Sequence, residues 1–237
     1  MVTVDPATYY AAAKAVHSIS NDVAAVAGQN LNPGLFDTAG MAGNYAAVRP
    51  WLNAYREYSE SFVQTVVSFV SATRTMGDIL NMVGYHWDLA NFNSNRKGTQ
   101  GHEPQAPVNG SWSPFDKSSI SVPDPEPAPY TTPDSGLTTD PRDMQDALRS
   151  AIKAGGTEIP KGNTTKLEIG VAGWRAVATN AAITGAAARI QSVAASFDAT
   201  DTPDKPTLLE MLETLRKGAD GIGAAAAGFA SGIQPHQ

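Results

Sequence analysis

FVQTVVSFVSATRTMGDILNMVGYHWDLA, residues 62 to 90, carries apolar or small side chains at alternating four- and three-residue steps: Phe62, Val66, Phe69, Thr73, Met76, Leu80, Val83, Trp87 and Ala90. Such spacing places them along one side of an α-helix, and a seam this long needs a partner helix over most of its length. The span Tyr55 to Asn91 is therefore expected to be one arm of an antiparallel helical hairpin. Packing and docking precede catalysis as an expectation for such a chain.

The bulk composition is compatible with that. The 237 residues are 42% hydrophobic but only 8% aromatic, so a core is built more from Ala, Val and Gly than from rings. A net charge of -6 with 17 scattered Lys and Arg argues against a nucleic-acid partner, which requires clustered cations. The absence of cysteine excludes disulfides, thiolate nucleophiles and thiolate-bound zinc. Met1 to Ala13 has neither a basic leader nor an apolar stretch before a cleavage site, so a cleaved signal peptide is not expected. A membrane-spanning helix requires about 20 apolar residues. The nearest candidate, Ile222 to Ile233, is short and mostly Ala and Gly, which predicts a soluble chain.

Outward from the long seam, Asp5-Pro6 supplies a capping carboxylate and a proline suited to a first helical turn. The helix it opens has the seam Tyr9, Ala12, Val16, Ile19, Val23, Val26 and is expected to end at Gly28 to Asn30; Leu35 to Pro50 is read as a connection. The first hairpin thus occupies residues 1–97. Residues 98–141 hold nine of the 16 prolines and lack a periodic apolar face. They read as an extended linker or surface-hugging loop, with Trp112 and Phe115 available to dock on the helices.

The remainder, residues 142–237, reads as a second hairpin packed with the first. Asp140-Pro141 opens a short helix to about Ala154, broken by Gly155-Gly156. Asn163 or Thr164 caps a longer helix with two stripes: Leu167, Val171, Trp174, Ala178, Ala181, Gly185, Ala188, and Ile169, Ala176, Ile183, Ile190, Phe197. Two stripes predict a helix sandwiched on two sides. After a turn from Asp198 to Pro206, Thr207 caps a last helix bearing Leu208, Met211, Leu212, Leu215, Ile222 and Phe229. Its glycines each cost up to ~1 kcal/mol against alanine, so it needs packing to persist. The fold class expected is all-α, two tandem antiparallel hairpins forming an elongated bundle.

Val4-Asp5-Pro6-Ala7, Thr38-Ala39-Gly40-Met41-Ala42-Gly43, the long helix opened by aromatics, Asn163-Thr164-Thr165-Lys166-Leu167 and Ala172-Gly173-Trp174-Arg175 occur in an order that resembles the amino-terminal helical domains of CpnT-like polymorphic toxins. These are similar in turn to the WXG100-like superfamily of helical hairpins exported by actinobacterial type VII (ESX) secretion. The resemblance implies a secreted or envelope-associated export module whose partners are small WXG100 (Esx-type) proteins and the secretion machinery. No cofactor or metal is expected, and no toxin domain is read in residues 1–237, so the chain is expected to be either a fragment or a variant whose export signal and effector lie elsewhere. The resemblance also raises an outer-membrane channel subunit as the alternative, which single-faced amphipathic helices allow only through oligomers.

Departures from the family pattern are clear. Ala176 stands where the Trp-x-Gly turn places glycine, and Trp174 sits within a helical pattern. Tyr85 is followed four residues later by Leu89, not by the acidic residue of the Tyr-x-x-x-Asp/Glu export motif, although Asp88 is adjacent. Tyr130 and Asp134 match that motif inside the proline-rich tract, where short matches arise easily by accident.

Trp174 is expected to be a recognition residue or, more in keeping with its seam, a core wedge. Tyr85, His86, Trp87 and Asp88 form a polar-aromatic group at the tip of the long helix, able to face a secretion component or to cap the bundle end. The Ala39 to Gly43 loop reads equally as a contact surface or a tight connection. The four histidines, His17, His86, His102 and His236, form no ligand or triad spacing, and no Gly-x-Ser-x-Gly or phosphate loop occurs. Glu57 and Glu60 suit a solvated helix face. The sequence points to a non-enzymatic interaction domain.

Overall fold

The computed structural model describes residues 4–31, 35, 38–43, 48–94, 102–108, 110, 112–113, 115–120, 122 and 162–233. Among these, the secondary structure is entirely helical: α1 (Pro6–Asn30), α2 (Arg49–Ser94), α3 (Thr164–Ala178), α4 (Ala181–Thr184), α5 (Ala186–Ala195) and α6 (Lys205–Ile233). The expected helix from Asp140 to Ala154 and its Gly155-Gly156 break lie outside the described residues.

α1 begins as its sequence requires, with the Asp5 carboxylate accepting from Ala7 N–H at 3.0 Å and Pro6 in the first turn. It pairs antiparallel with α2 in a constant register. Asn91 Nδ2 donates to the Val4 carbonyl at 2.8 Å, Tyr9 packs on Gly84, His17 lies against Gly77, and Ser20 Oγ donates to the Val70 carbonyl at 3.2 Å. Every residue of the α1 seam is buried, as are Phe62 to Leu80 of the α2 seam; Val83 and Trp87 are half-buried and Ala90 is exposed.

α2 has 46 residues and so spans about 69 Å at 1.5 Å per residue. It starts at Arg49, earlier than expected, because Pro50 sits in its first turn, where a missing N–H costs nothing. The register shows that α1 is exhausted near the level of Phe62. The first third of α2 therefore extends past it.

The second helical pair departs from expectation. Instead of one sandwiched helix, the chain from Asn163 breaks at Thr179–Asn180 and again at Gly185. Asn163 Oδ1 caps α3 by accepting from Lys166 N–H at 3.0 Å, and Asn180 Oδ1 caps α4 by accepting from Ala182 N–H at 2.9 Å. The break rotates the chain, so that the two stripes are one inner face handed over. Leu167, Val171, Trp174 and Val177 are buried before it, and Ile183, Ile190, Val193 and Phe197 after it, while Ala176, Ala181 and Ala188 are exposed. α6 begins at Lys205 with Pro206 in its first turn, not at a Thr207 cap.

Neighbour relations close a ring: α1 on α2, α2 on α6, α6 on α3 to α5, and these back on α1. This is the arrangement of a four-helix bundle whose fourth rod is the broken α3–α5. Of the proline-rich tract, the described part lies along the first hairpin. Trp112 meets the edge of His17 at 4.5 Å and donates to Asp78 at 3.3 Å, Arg74 donates to the Ser113 carbonyl at 3.0 Å, and Ile120 is buried.

Candidate docking groove

Trp174 is fully buried and crosses the bundle centre from α3. Its indole stacks on Phe229 of α6 (4.1 Å, 10°) and receives the edge of Phe62 of α2 (5.2 Å, 88°). Its Nε1–H donates to the Tyr55 hydroxyl at 3.1 Å. Burial pushes the Tyr55 phenol up to about 12, with the indole hydrogen bond acting the other way. Of the two roles open to Trp174, its surroundings are those of the core wedge.

Outside this aromatic core, between α2 and the last turns of α6, lies an open groove of about 510 Å³. Tyr55, Phe62 and Phe229 form its floor. One rim is the α2 ridge with Trp51 and Tyr58; the opposite rim is Ala225, Gly228 and Gly232. Tyr58 is 63% exposed, one of two large hydrophobic side chains exposed to this degree among the described residues. A Cβ added at Gly228 or Gly232 meets nothing within 4 Å. By contrast Gly218, earlier on α6 and half-buried, faces the Phe69 ring, which a Cβ there would approach to 3.3 Å. Gly221, outside the groove, is equally open, and among the described residues nothing packs where the side chains of Gly221, Gly228 and Gly232 would begin.

The charges around the groove are uneven. α6 from Gly221 to Ile233 carries none, whereas the α2 side has Arg56, Glu57 and Glu60. A seat walled by aromatic and methylene surface on one side and bare helix backbone on the other suits one amphipathic helix.

The tip residues lie at the far end of the bundle. Trp87 and Tyr58 are 29 residues apart on one helix, about 44 Å. Trp87 Nε1–H donates to Asp204 Oδ1 at 3.3 Å, and Asp204 Oδ2 accepts from the Tyr9 hydroxyl at 2.8 Å, which also meets Thr202 Oγ1 at 2.9 Å. Burial raises the Tyr9 phenol above its ordinary value. Asp88 faces Tyr10, whose phenol is raised first by burial and then by that carboxylate. Tyr85 is half-exposed and tilts against His86 at 5.6 Å. Trp87 and Asp88 thus tie the bundle end together, and the structure does not bring the tip residues to Trp174. Tyr130 and Asp134 lie outside the described residues.

In the loop Thr38 to Gly43, Thr38, Met41, Ala42 and Gly43 are buried, Gly40 is half-buried and Ala39 is exposed. Asn163 N–H donates to the Met41 carbonyl at 2.9 Å, Lys166 Nζ to the Ala39 carbonyl at 2.9 Å, and Gly40 and Gly43 take positive φ of 77° and 71°. Two segments quoted for the family resemblance therefore meet, 122 to 127 residues apart in sequence.

The groove itself was missed in sequence, although Trp51, Tyr55, Tyr58 and Phe62 follow the same four-three-four step as the core seam. Among the described residues no group of His, Asp and Glu is placed to hold a metal ion, and no helix is long and apolar enough to cross a membrane. No family model, curated protein or solved structure matches the chain.

Proposed function

We propose that the chain is the export and protein-interaction module of a CpnT-like toxin secreted by a type VII (ESX) system, built from two WXG100-like hairpins and a proline-rich connection. The observation that carries this is the groove between α2 and α6: a largely apolar seat open on one side of an all-helical bundle. The seat takes one helix of a small WXG100 partner, whose apolar seam lies on Tyr58 and against the Gly228–Gly232 backbone. The contact between the Thr38–Gly43 loop and the start of α3 supports the family reading, since it gives two of the resembling segments one packing role.

The experiment is co-expression with small WXG100 proteins and co-purification of the complex. Capture of a partner by the native chain, lost in Tyr58→Glu while far-UV circular dichroism is unchanged, is the expected result. Capture that survives Tyr58→Glu refutes the groove as the seat. Failure to bind any such protein, together with failure to be exported by an ESX-competent host, refutes the module.

A further inference from the structure

Beyond that reading, we infer that the stretch of the proline-rich tract from Trp112 to Val122 is a strap that opens and closes over the α1–α2 pair while the bundle stays folded, with Trp112 as its pin. It uses none of the groove residues. Upstream of the pin, His102, Glu103, Gln105, Ala106, Val108 and Gly110 are exposed, Val108 to 95%. Attachment begins at Trp112, whose indole meets the edge of His17 and donates to Asp78, and it reaches Ser119, whose carbonyl lies beside Gly28 of α1. His17 and Gly28 are 11 residues apart, so the strap follows α1 for about 16 Å.

Separate pegs make this attachment, not a backbone ladder. Trp112, Phe115 and Val122 are half-buried and Ile120 is buried. The turn from Asp116 to Ser119 is closed by its own hydrogen bonds: Ser118 N–H and Oγ donate to Asp116 Oδ1 at 2.8 and 2.6 Å, and Ser119 N–H to the Asp116 carbonyl at 3.0 Å. Among the described residues, the hydrogen bonds from strap to helix are Trp112 to Asp78 at 3.3 Å and Arg74 to the Ser113 carbonyl at 3.0 Å. The four rods close on one another without the strap. Closure also leaves a donor unpaired. The Arg74 guanidinium carbon lies 5.4 Å from the centre of the Trp112 ring, and Nε, bonded to that carbon, is buried with no hydrogen-bond partner. Burying an unpaired donor of a charged group is unfavourable, and lifting the ring admits water to it. A few pegs offset by such a donor put the strap at the low end of the range of local opening free energies. Opening uncovers His17, Arg74 and Asp78 together.

The chain has no cysteine, so one introduced thiol reports alone. Ile120→Cys places it at the buried peg of the strap and Val16→Cys in the α1 core, where the native side chains are 1% and 0% exposed. Labelling by a water-soluble aromatic disulfide is expected to be at least about a hundredfold faster at position 120 than at position 16. It should also be nearly independent of urea below the unfolding transition, because opening exposes little surface. Trp112→Ala should speed labelling at 120 about tenfold or more while the helical dichroism is kept. Hydrogen exchange on the unsubstituted chain checks the same opening, with the Ser119 amide exchanging before those of the α1 core. Labelling at 120 that keeps step with position 16 in rate and urea dependence overturns the inference, as does a rate indifferent to Trp112→Ala. A Ser119 amide protected as long as the α1 core, or exchanging like that of a free peptide, overturns it too.

Discussion

Replacing Trp174 with alanine tests whether one side chain locks the two helical pairs together. The indole stacks on α6, receives an edge from α2 and hydrogen-bonds to Tyr55, so its removal empties the bundle centre. Truncating a buried tryptophan costs about 3–5 kcal/mol through lost transfer energy and the cavity left behind. The Tyr55 hydroxyl, buried and stripped of its donor, adds about 1–3 kcal/mol unless water enters. The sum, about 4–8 kcal/mol, is comparable to the whole stability of a domain, about 5–15 kcal/mol.

Trp174→Phe separates the two contributions: it retains a ring for Phe229 but not the donor, and should cost only about 1–3 kcal/mol. Adding Tyr55→Phe to it removes both polar partners, and the double variant should be no less stable than Trp174→Phe. Urea unfolding followed by helical circular dichroism measures each loss from the midpoint and slope. A Trp174→Ala chain that loses less than about 1 kcal/mol, within the range of ordinary surface substitutions, refutes the wedge.

Gly77→Ala should destabilise by about 1–3 kcal/mol despite alanine's better helix propensity, since a Cβ there would overlap the His17 ring; urea titration gives the sign, and faster proteolysis between residues 102 and 122 reports loosening of Trp112 from His17. Asp204→Ala removes the acceptor shared by Tyr9 and Trp87, and a melting temperature unchanged from the native chain would contradict its role as the tie at that end. The raised Tyr55 phenol predicts alkaline weakening. At pH below the ordinary tyrosine value of 10.0 the contribution is fully present; as pH rises from there through about 12 the unfolded phenol ionises first and stability falls. The loss is about 3 kcal/mol at most, from 1.36 kcal/mol per unit, and Tyr55→Phe should flatten that part of the pH–stability curve.

The helices that could be read from sequence are those whose signals are local. Asp5-Pro6 and Asn163 are caps wherever the chain goes afterwards, and the seams of α1 and α2 keep one face throughout. The same proline rule applies at Arg49-Pro50 and Lys205-Pro206, and both helices start earlier than their apolar seams for it. The break at Thr179–Asn180 was hidden for a different reason. Two apolar stripes on one continuous helix and one stripe shifted at a kink give the same residue pattern, and only the Asn180 cap distinguishes them. Trp174 was legible as a core candidate from its place in the seam. The groove was not, because it exists only where α1 runs out and α6 arrives at the level of Tyr58, which are relations between distant segments.

The glycines of α6 allow the docking argument to be tested on thermodynamics alone. Gly218 faces Phe69 closely, whereas Gly228 and Gly232 in the groove, like Gly221 outside it, have open space where a side chain would begin. Each groove glycine costs up to ~1 kcal/mol relative to alanine in a helix. Gly228→Ala and Gly232→Ala are therefore expected to make the isolated chain more stable, by up to ~2 kcal/mol together. If the bare backbone is the seat of a partner helix, the same substitutions weaken association, because an added methyl holds a partner side chain away from the surface. Opposite signs in the two measurements, unfolding of the isolated chain and sedimentation with the partner, are what a binding surface produces. If both substitutions stabilise the chain and leave association untouched, the glycines are a feature of α6 itself and the groove loses its strongest physical support.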